Sequence, residues 1–182
     1  MKLVAKFGGT SMRDADAIKR SIDISRAHKA NIVVVSATSG TTNNLLLLSS
    51  QAQNGNWEQA EQTISAIKKQ HDDIADEFNL NDRGQLEAFY SELTTLAKGM
   101  FFIRDIPPKA LDRLQSVGER LSSYLMSVGR AKYYPEDEIE LLDARDIIRT
   151  NRAFGKGKPN LSAIEKNCKK LSSNISYITQ GF

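Results

Sequence analysis

Lys6-Phe7-Gly8-Gly9-Thr10-Ser11 is the stretch of this chain best equipped for chemistry, because an apolar run from Leu3 to Phe7 ends in two glycines and two hydroxyls beside a lysine. A helix pattern opens directly after it. Glycines between a strand and a helix let backbone N–H groups approach an anion closely, and the helix N-terminus adds the positive end of its dipole. With Lys6 alongside, these elements make a phosphate cradle. Taken alone, the Gly-Gly pair fits a plain tight turn equally well.

Three further segments bear on that choice: Val35-Ser36-Ala37-Thr38-Ser39-Gly40-Thr41-Thr42-Asn43 after a second apolar run, Ser116-Val117-Gly118-Glu119-Arg120 in a helical pattern, and the closing Ile178-Thr179-Gln180-Gly181-Phe182. Together with Asp143-Ala144-Arg145, Arg149-Thr150-Asn151 and Phe154-Gly155 they resemble the aspartate kinases of the amino acid kinase family. The resemblance runs from Lys6 to Phe182. It implies an α/β fold, the three-layer αβα sandwich around a mostly parallel sheet of the carbamate kinase-like type, here incomplete at its C-terminus. The activity it implies is ATP-dependent phosphorylation of the β-carboxylate of L-aspartate to 4-phospho-L-aspartate, the first step toward lysine, threonine and methionine. ATP would be the co-substrate, with Mg²⁺ carried on its phosphates, and the parent enzyme a homo-oligomer.

Phosphoryl transfer asks a protein chiefly for positioning, with positive charge and N–H donors around the moving group. The resemblance implies that Lys6 contacts the transferring oxygens and that Gly8, Gly9 and Ser11 contact the ATP phosphates. An aspartate substrate brings two carboxylates and an ammonium, so its site needs hydroxyl or N–H donors together with a carboxylate. Ser36, Ala37 and Thr42 supply the first kind and Glu119 the second. In the family pattern Glu119 holds the α-ammonium, with Thr42 and the Ser36-Ala37 segment nearby. Because the substrate carboxylate is already anionic, no side chain need remove a proton, and Glu119 reads as a binder rather than a general base.

Other matching residues have a plainer reading. Arg120 is expected as an exposed helix neighbour, Ser39-Gly40 as loop backbone, and Thr41 as a helix cap. Asp143, Arg145, Arg149, Thr150 and Phe154 match the family pattern without a ligand, which suggests structural support or a contact between subunits. Gly155-Lys156-Gly157-Lys158 lacks the Walker A spacing and reads as a flexible basic loop.

The elements that must hold these groups follow from periodicity. Strands are expected at Leu3 to Phe7 and Asn31 to Ser36, where continuous apolar runs suggest burial on both faces, and again at Ile139 to Leu142 and Ile175 to Gln180. Helices are expected at about 14–28, with Ala17, Ile18, Ile22 and Ala27 inward, and from Thr42 or Asn43, carrying Leu45 to Leu48 into the core. More follow at 57–78, at 82–102, from Pro108 to Val128, from Ala144, and from Ser162 to Leu171. On the Pro108 helix, Leu111, Leu114, Val117, Leu121 and Leu125 draw one buried stripe. Glu119 sits at the edge of that stripe, where a side chain can face a cleft. A chain that stops at the carboxyl end of a strand, where the ligand loops of open sheets begin, reads as the N-terminal part of a kinase domain, lacking its remainder and its regulatory ACT domains. Such a piece is expected to be inactive alone.

At 182 residues, 40% hydrophobic and 26% charged, the chain has the make-up of one globular domain. The 25 Lys+Arg against 22 Asp+Glu leave a net charge of +3, too mild and dispersed to argue for nucleic acid or membrane. Lys166, Lys169 and Lys170, the densest basic cluster, read as a solvated helix face. Cys168 is the only cysteine, which excludes an intrachain disulfide, fits a reducing cytoplasm and, with no Cys/His pattern, gives no protein metal site. No apolar run reaches the ~20 residues of a membrane span. His28 and His71, in polar helical surroundings, are expected on the surface.

Two other readings remain. A sister kinase would act on glutamate, acetylglutamate, carbamate or a nucleotide, but an N-acetylated or nucleotide substrate offers no free ammonium to Glu119. A binding or assembly module without catalysis is the second.

Overall fold

Val4–Phe7 (β1) and Ile32–Val35 (β2) lie parallel, with Val4 opposite Ile32 and Phe7 opposite Val35. Ser176–Gln180 (β4) pairs with the other side of β2, and Ile139–Leu142 (β3) flanks β4, giving a parallel sheet of order β1-β2-β4-β3. The computed structural model describes residues 3–172 and 174–181, so Met1 and Phe182, the last residue of the closing motif, lie outside it. Since the strands run the same way, the segments after Phe7, Val35 and Gln180 leave the sheet at one edge. That edge is where open α/β sheets bind ligands.

Helices flank the sheet on both sides, the α/β arrangement expected. Pro108–Tyr133 (α5) runs against β2, β3 and β4, and its Val117, Leu121 and Leu125 join Val33, Val35 and Ile178 in the core. Burying each such side chain stabilises by about 1.5–3 kcal/mol. Ala15–Ala27 (α1) packs beside α5. Thr41–Gln53 (α2), Trp57–Glu77 (α3) and Gly84–Ile103 (α4) build up the same side. Ala144–Ile147 (α6) and Leu161–Cys168 (α7) come between β3 and β4. Among the described residues no helix is long and apolar enough to cross a membrane.

Local chemistry explains most boundaries. The Asp14 carboxylate accepts the Ala17 N–H at 2.7 Å and caps α1, and that backbone bond holds its carboxyl below the ordinary range. Pro108 opens α5 at a position where a missing N–H is harmless. His28 and the Lys166, Lys169 and Lys170 cluster are exposed, as expected.

Several expectations are corrected. The β1 strand is not buried on both faces: it is a sheet edge, and Val4 is 57% exposed. Ala27 faces solvent, whereas Ala17, Ile18 and Ile22 are buried. Of the run Leu45 to Leu48 only Leu45 and Leu48 enter the core, because four successive helical residues span a full turn and Leu46 and Leu47 must point out. The α5 helix does not end at Val128. Gly129 is a packing glycine there, since a Cβ on it would sit 2.9 Å from the Phe78 ring and 3.1 Å from Ile22 Cδ1. The 151–159 segment is irregular, as expected, yet it is pinned, with the Gly155 N–H donating to Asp112 at 2.8 Å.

Candidate functional site

Lys6, the third residue of β1, is exposed, and its Nζ donates to Ser36 Oγ at 3.1 Å. Ser36 is the first residue past β2, so this bond joins the ends of neighbouring strands. The chain after Gly8 forms a 3-10 turn over Gly9–Met12, closed by the Ser11 N–H on the Gly8 carbonyl at 3.0 Å, and α1 begins only at Ala15. The N–H groups that directly follow Gly8 therefore belong to the 3-10 turn and not to α1, a correction to the sequence reading. The Asp14 cap accounts for the separation.

The two glycines do different jobs. A Cβ on Gly9 would lie 3.1 Å from the Ala37 carbonyl oxygen and 3.7 Å from Ser39 Cα, so its bare backbone lets the 8–11 turn touch the 36–41 loop. Over Gly8 there is open space. Ser11 is half-buried, and its carbonyl accepts from Ser21 Oγ of α1 at 3.0 Å.

The 36–41 loop is held from below by α5. Ser122 Oγ donates to the Ser36 carbonyl at 2.8 Å and also lies 3.0 Å from the Glu119 carbonyl. A Cβ on Gly118 would meet Leu45, Thr41 and Ala37 within 3.0–3.2 Å, so only glycine lets α5 come this close. Glu119, next along, is half-buried. Its Oε2 is shielded from solvent and lies 3.7 Å from where a Gly181 Cβ would be. Lys6, Gly9, Ser36, Ala37 and Glu119 thus gather at the carboxyl ends of β1, β2 and β4. Thr42 sits on the first turn of α2 and is exposed. Gly40, at φ +83°, makes the turn into α2, which starts at Thr41, slightly earlier than expected.

Two of the plainer readings fail. His71 is fully buried instead of on the surface. Its Nδ1 lies 2.7 Å from the Ile67 carbonyl, and since a carbonyl can only accept, Nδ1 carries the proton and Nε2 accepts from the Thr38 hydroxyl at 2.9 Å. Burial pushes its pKa below the ordinary histidine range, against the smaller opposing pull of the Ile67 bond and Asp72. Arg120 is not an exposed helix neighbour: its side chain is 13% exposed, bonds Glu92 at 2.7 Å and stacks on the Phe89 ring. Burial alone would raise the Glu92 carboxyl, but Arg120 and Arg113 outweigh it and hold it below the carboxylate range. Asp143 caps α6 by accepting the Arg145 N–H at 2.9 Å. Arg120, Asp143, Phe89, Tyr124 and Gln180 line a hollow of about 230 Å³.

The neutral state of His71 has a measurable consequence. Below about pH 6.5 the unfolded chain takes up a proton that the folded chain refuses, so stability is complete above that value and falls as pH drops toward the lowered folded pKa. The melting temperature of His71→Gln should therefore fall less than that of the wild type between pH 7.5 and 5. Parallel curves would show that His71 takes up its proton as readily in the fold as in the unfolded chain.

Residues to which the sequence reading gave no role include Ser122, Thr38, Gln70 and Gln180. Gln180 donates to Ser123 Oγ at 2.6 Å and accepts from the Ala144 N–H at 2.8 Å, tying β4 to α5 and α6. A polar residue on an otherwise apolar stripe, as Ser122 is beside Leu121 and Leu125, was the available signal.

A parallel sheet with a lysine near one strand end, a glycine turn and the Glu119 turn of α5 at one edge defines an α/β domain with a candidate ligand edge, and comparison with known proteins narrows it. The sequence profile of the Amino acid kinase family matches residues 1–181, and the chain belongs to that family. It is similar to lysine-sensitive aspartokinase 3 of Escherichia coli K12, at 31% identity over 188 residues, covering 99% of this chain and 40% of that one. The aspartokinase of Chlamydia muridarum is 32% identical over 183 residues, covering 99% and 39%. The solved structure of E. coli aspartokinase III in complex with aspartate and ADP matches with a TM-score of 0.88 at 30% identity, over 100% of this chain and 41% of that one. The chain thus spans about 40% of the length of the curated relatives it matches.

Proposed function

We propose that this chain supplies the phosphate-binding and acceptor-binding walls of an aspartate kinase, which transfers the γ-phosphoryl group of ATP to the β-carboxylate of L-aspartate. The observation that carries the reading is the Lys6 to Ser36 bond, which sets the phosphate strand and the acceptor loop side by side with Glu119 at the same edge. A β-carboxylate oxygen attacks the γ-phosphorus, the bond to the β,γ-bridging oxygen breaks, and ADP leaves with that electron pair. No proton need be removed. Lys6 meets the phosphoryl oxygens, Gly8, Gly9 and Ser11 the nucleotide phosphates, and Glu119 the substrate ammonium, with Ser36, Ala37 and Thr42 toward its carboxylates. Magnesium enters as part of the nucleotide, neutralising phosphate charge. A similar solved structure holding aspartate and ADP supports the substrate pair.

In this reading residues 1–182 are the N-terminal portion of the kinase domain, with adenine contacts, a second aspartate-binding cluster and ACT domains encoded elsewhere in a homo-oligomeric parent. The product, 4-phospho-L-aspartate, would open the route to lysine, threonine and methionine. The test is a hydroxamate assay of the full-length gene product with ATP-Mg²⁺ and aspartate, glutamate or acetylglutamate. Aspartyl hydroxamate is expected, and none from the 182-residue chain alone. Turnover of glutamate or acetylglutamate without aspartate would defeat the assignment.

A further inference from the structure

We propose that Gln70 and His71, adjacent residues of α3, are positioning residues that set the conformation of the loop running from Ser36 into α2 and thereby its affinity for the acceptor substrate. The inference rests on the acceptor role given to that loop above. Gln70 Nε2 donates to the Ser39 carbonyl at 2.9 Å while its Oε1 accepts from Thr41 Oγ1 at 3.3 Å. His71 accepts from Thr38 Oγ1 at 2.9 Å and is itself oriented by the Ile67 carbonyl. Two consecutive side chains therefore hold three of the four residues from Thr38 to Thr41. The fourth, Gly40, is the left-handed hinge that lets the chain turn between those anchors.

The other supports of the loop lie elsewhere. Ser122 holds the Ser36 carbonyl, Gly118 lets α5 press on Ala37 and Thr41, and Gly9 touches Ala37 and Ser39. Ser122 fixes the start of the loop and the two glycine contacts fix how close it comes, while inside it the Thr41 N–H donates to the Thr38 carbonyl at 2.9 Å. The α3 bonds are directional and fix the rotation of the Thr38 side chain and the plane of the peptide between Ser39 and Gly40. Neither Gln70 nor His71 is at the strand-end edge where Lys6 and Glu119 gather, so each acts through the loop. Ser39 is exposed, and its carbonyl can turn to water when Gln70 is removed. Losing Gln70 should therefore disorder the loop more than it destabilises the fold.

The test uses the full-length protein with Gln70→Ala, His71→Gln, His71→Leu and, as control, Lys69→Ala, whose side chain pairs with Asp73 on the exposed face of α3. Gln70→Ala removes two hydrogen bonds and should raise KM for aspartate roughly tenfold, with kcat and KM for ATP within about twofold. His71→Gln, which keeps an acceptor for Thr38, should stay closer to wild type than His71→Leu, and Lys69→Ala should change nothing. Amide hydrogen exchange across 38–41 should accelerate in Gln70→Ala. Unchanged loop exchange, or equal rises in both KM values, overturns the proposal. A wild-type protein inert toward aspartate whose loop still loosens in Gln70→Ala would defeat the functional reading while supporting the clamp.

Discussion

Lys6→Ala is expected to lower kcat about a hundredfold while leaving KM for aspartate within a few-fold of wild type, because one preorganised charge facing the reacting oxygens is worth on the order of 3 kcal/mol in the transition state. As the phosphoryl group leaves ADP, charge redistributes over its equatorial oxygens, and a fixed ammonium gains most at that moment. The fold should not notice. Lys6 is exposed on an edge strand and donates to a hydroxyl, Ser36 Oγ, which can turn to water. Steady-state kinetics beside a thermal melt separates the two effects. Near-normal turnover would remove Lys6 from the reaction, whereas a large drop in melting temperature would mean that the rate loss reports damage to the sheet edge.

The fold was largely legible because its long helices and apolar strands repeat their burial signals many times over. The stripe Leu114, Val117, Leu121, Leu125 placed α5 against the sheet, and Asp14 and Pro108 marked helix starts by local chemistry alone. Single residues read less well, since their environment is set by elements distant in sequence. Gly129 looks like a helix stop until Phe78 arrives to fill the space above it. Arg120 looks exposed until Glu92, on a different helix, meets it. His71 is different, for its signal was local and outweighed by its polar neighbours. Ile64, Ile67, His71 and Ile74 follow the three-and-four spacing of one helix face, and that spacing, rather than the Gln70 and Asp72 beside it, decides where the ring goes.

The site divides along the same line. Its glycine turn and hydroxyl loop were readable because a strand end followed by Gly and Ser or Thr is a local pattern. The clamp on that loop was not, because Gln70 and His71 reach it across about thirty residues of chain. Local pattern finds what touches a ligand more readily than what holds those groups in place.

Glu119→Gln should raise KM for aspartate about ten- to a hundredfold and leave the affinity for ATP near wild type, since a charge-assisted hydrogen bond to the substrate ammonium is worth roughly 1.5–3 kcal/mol. The substitution keeps shape and size, so it isolates charge. Position makes the effect large. Gly118 lets α5 approach within contact of Thr41 and Ala37, Ser122 fastens the same turn of helix to the Ser36 carbonyl, and Glu119 is thereby carried to the edge beside Gly181 with one carboxylate oxygen shielded from water. A carboxylate so placed is weakly screened by solvent and held near one geometry, which strengthens its attraction for an ammonium relative to a freely moving surface group. Parallel measurements of KM for both substrates decide the point. If ATP affinity collapses while aspartate affinity is spared, Glu119 faces the nucleotide, and the acceptor wall must be sought on the other side of the Lys6 to Ser36 bond.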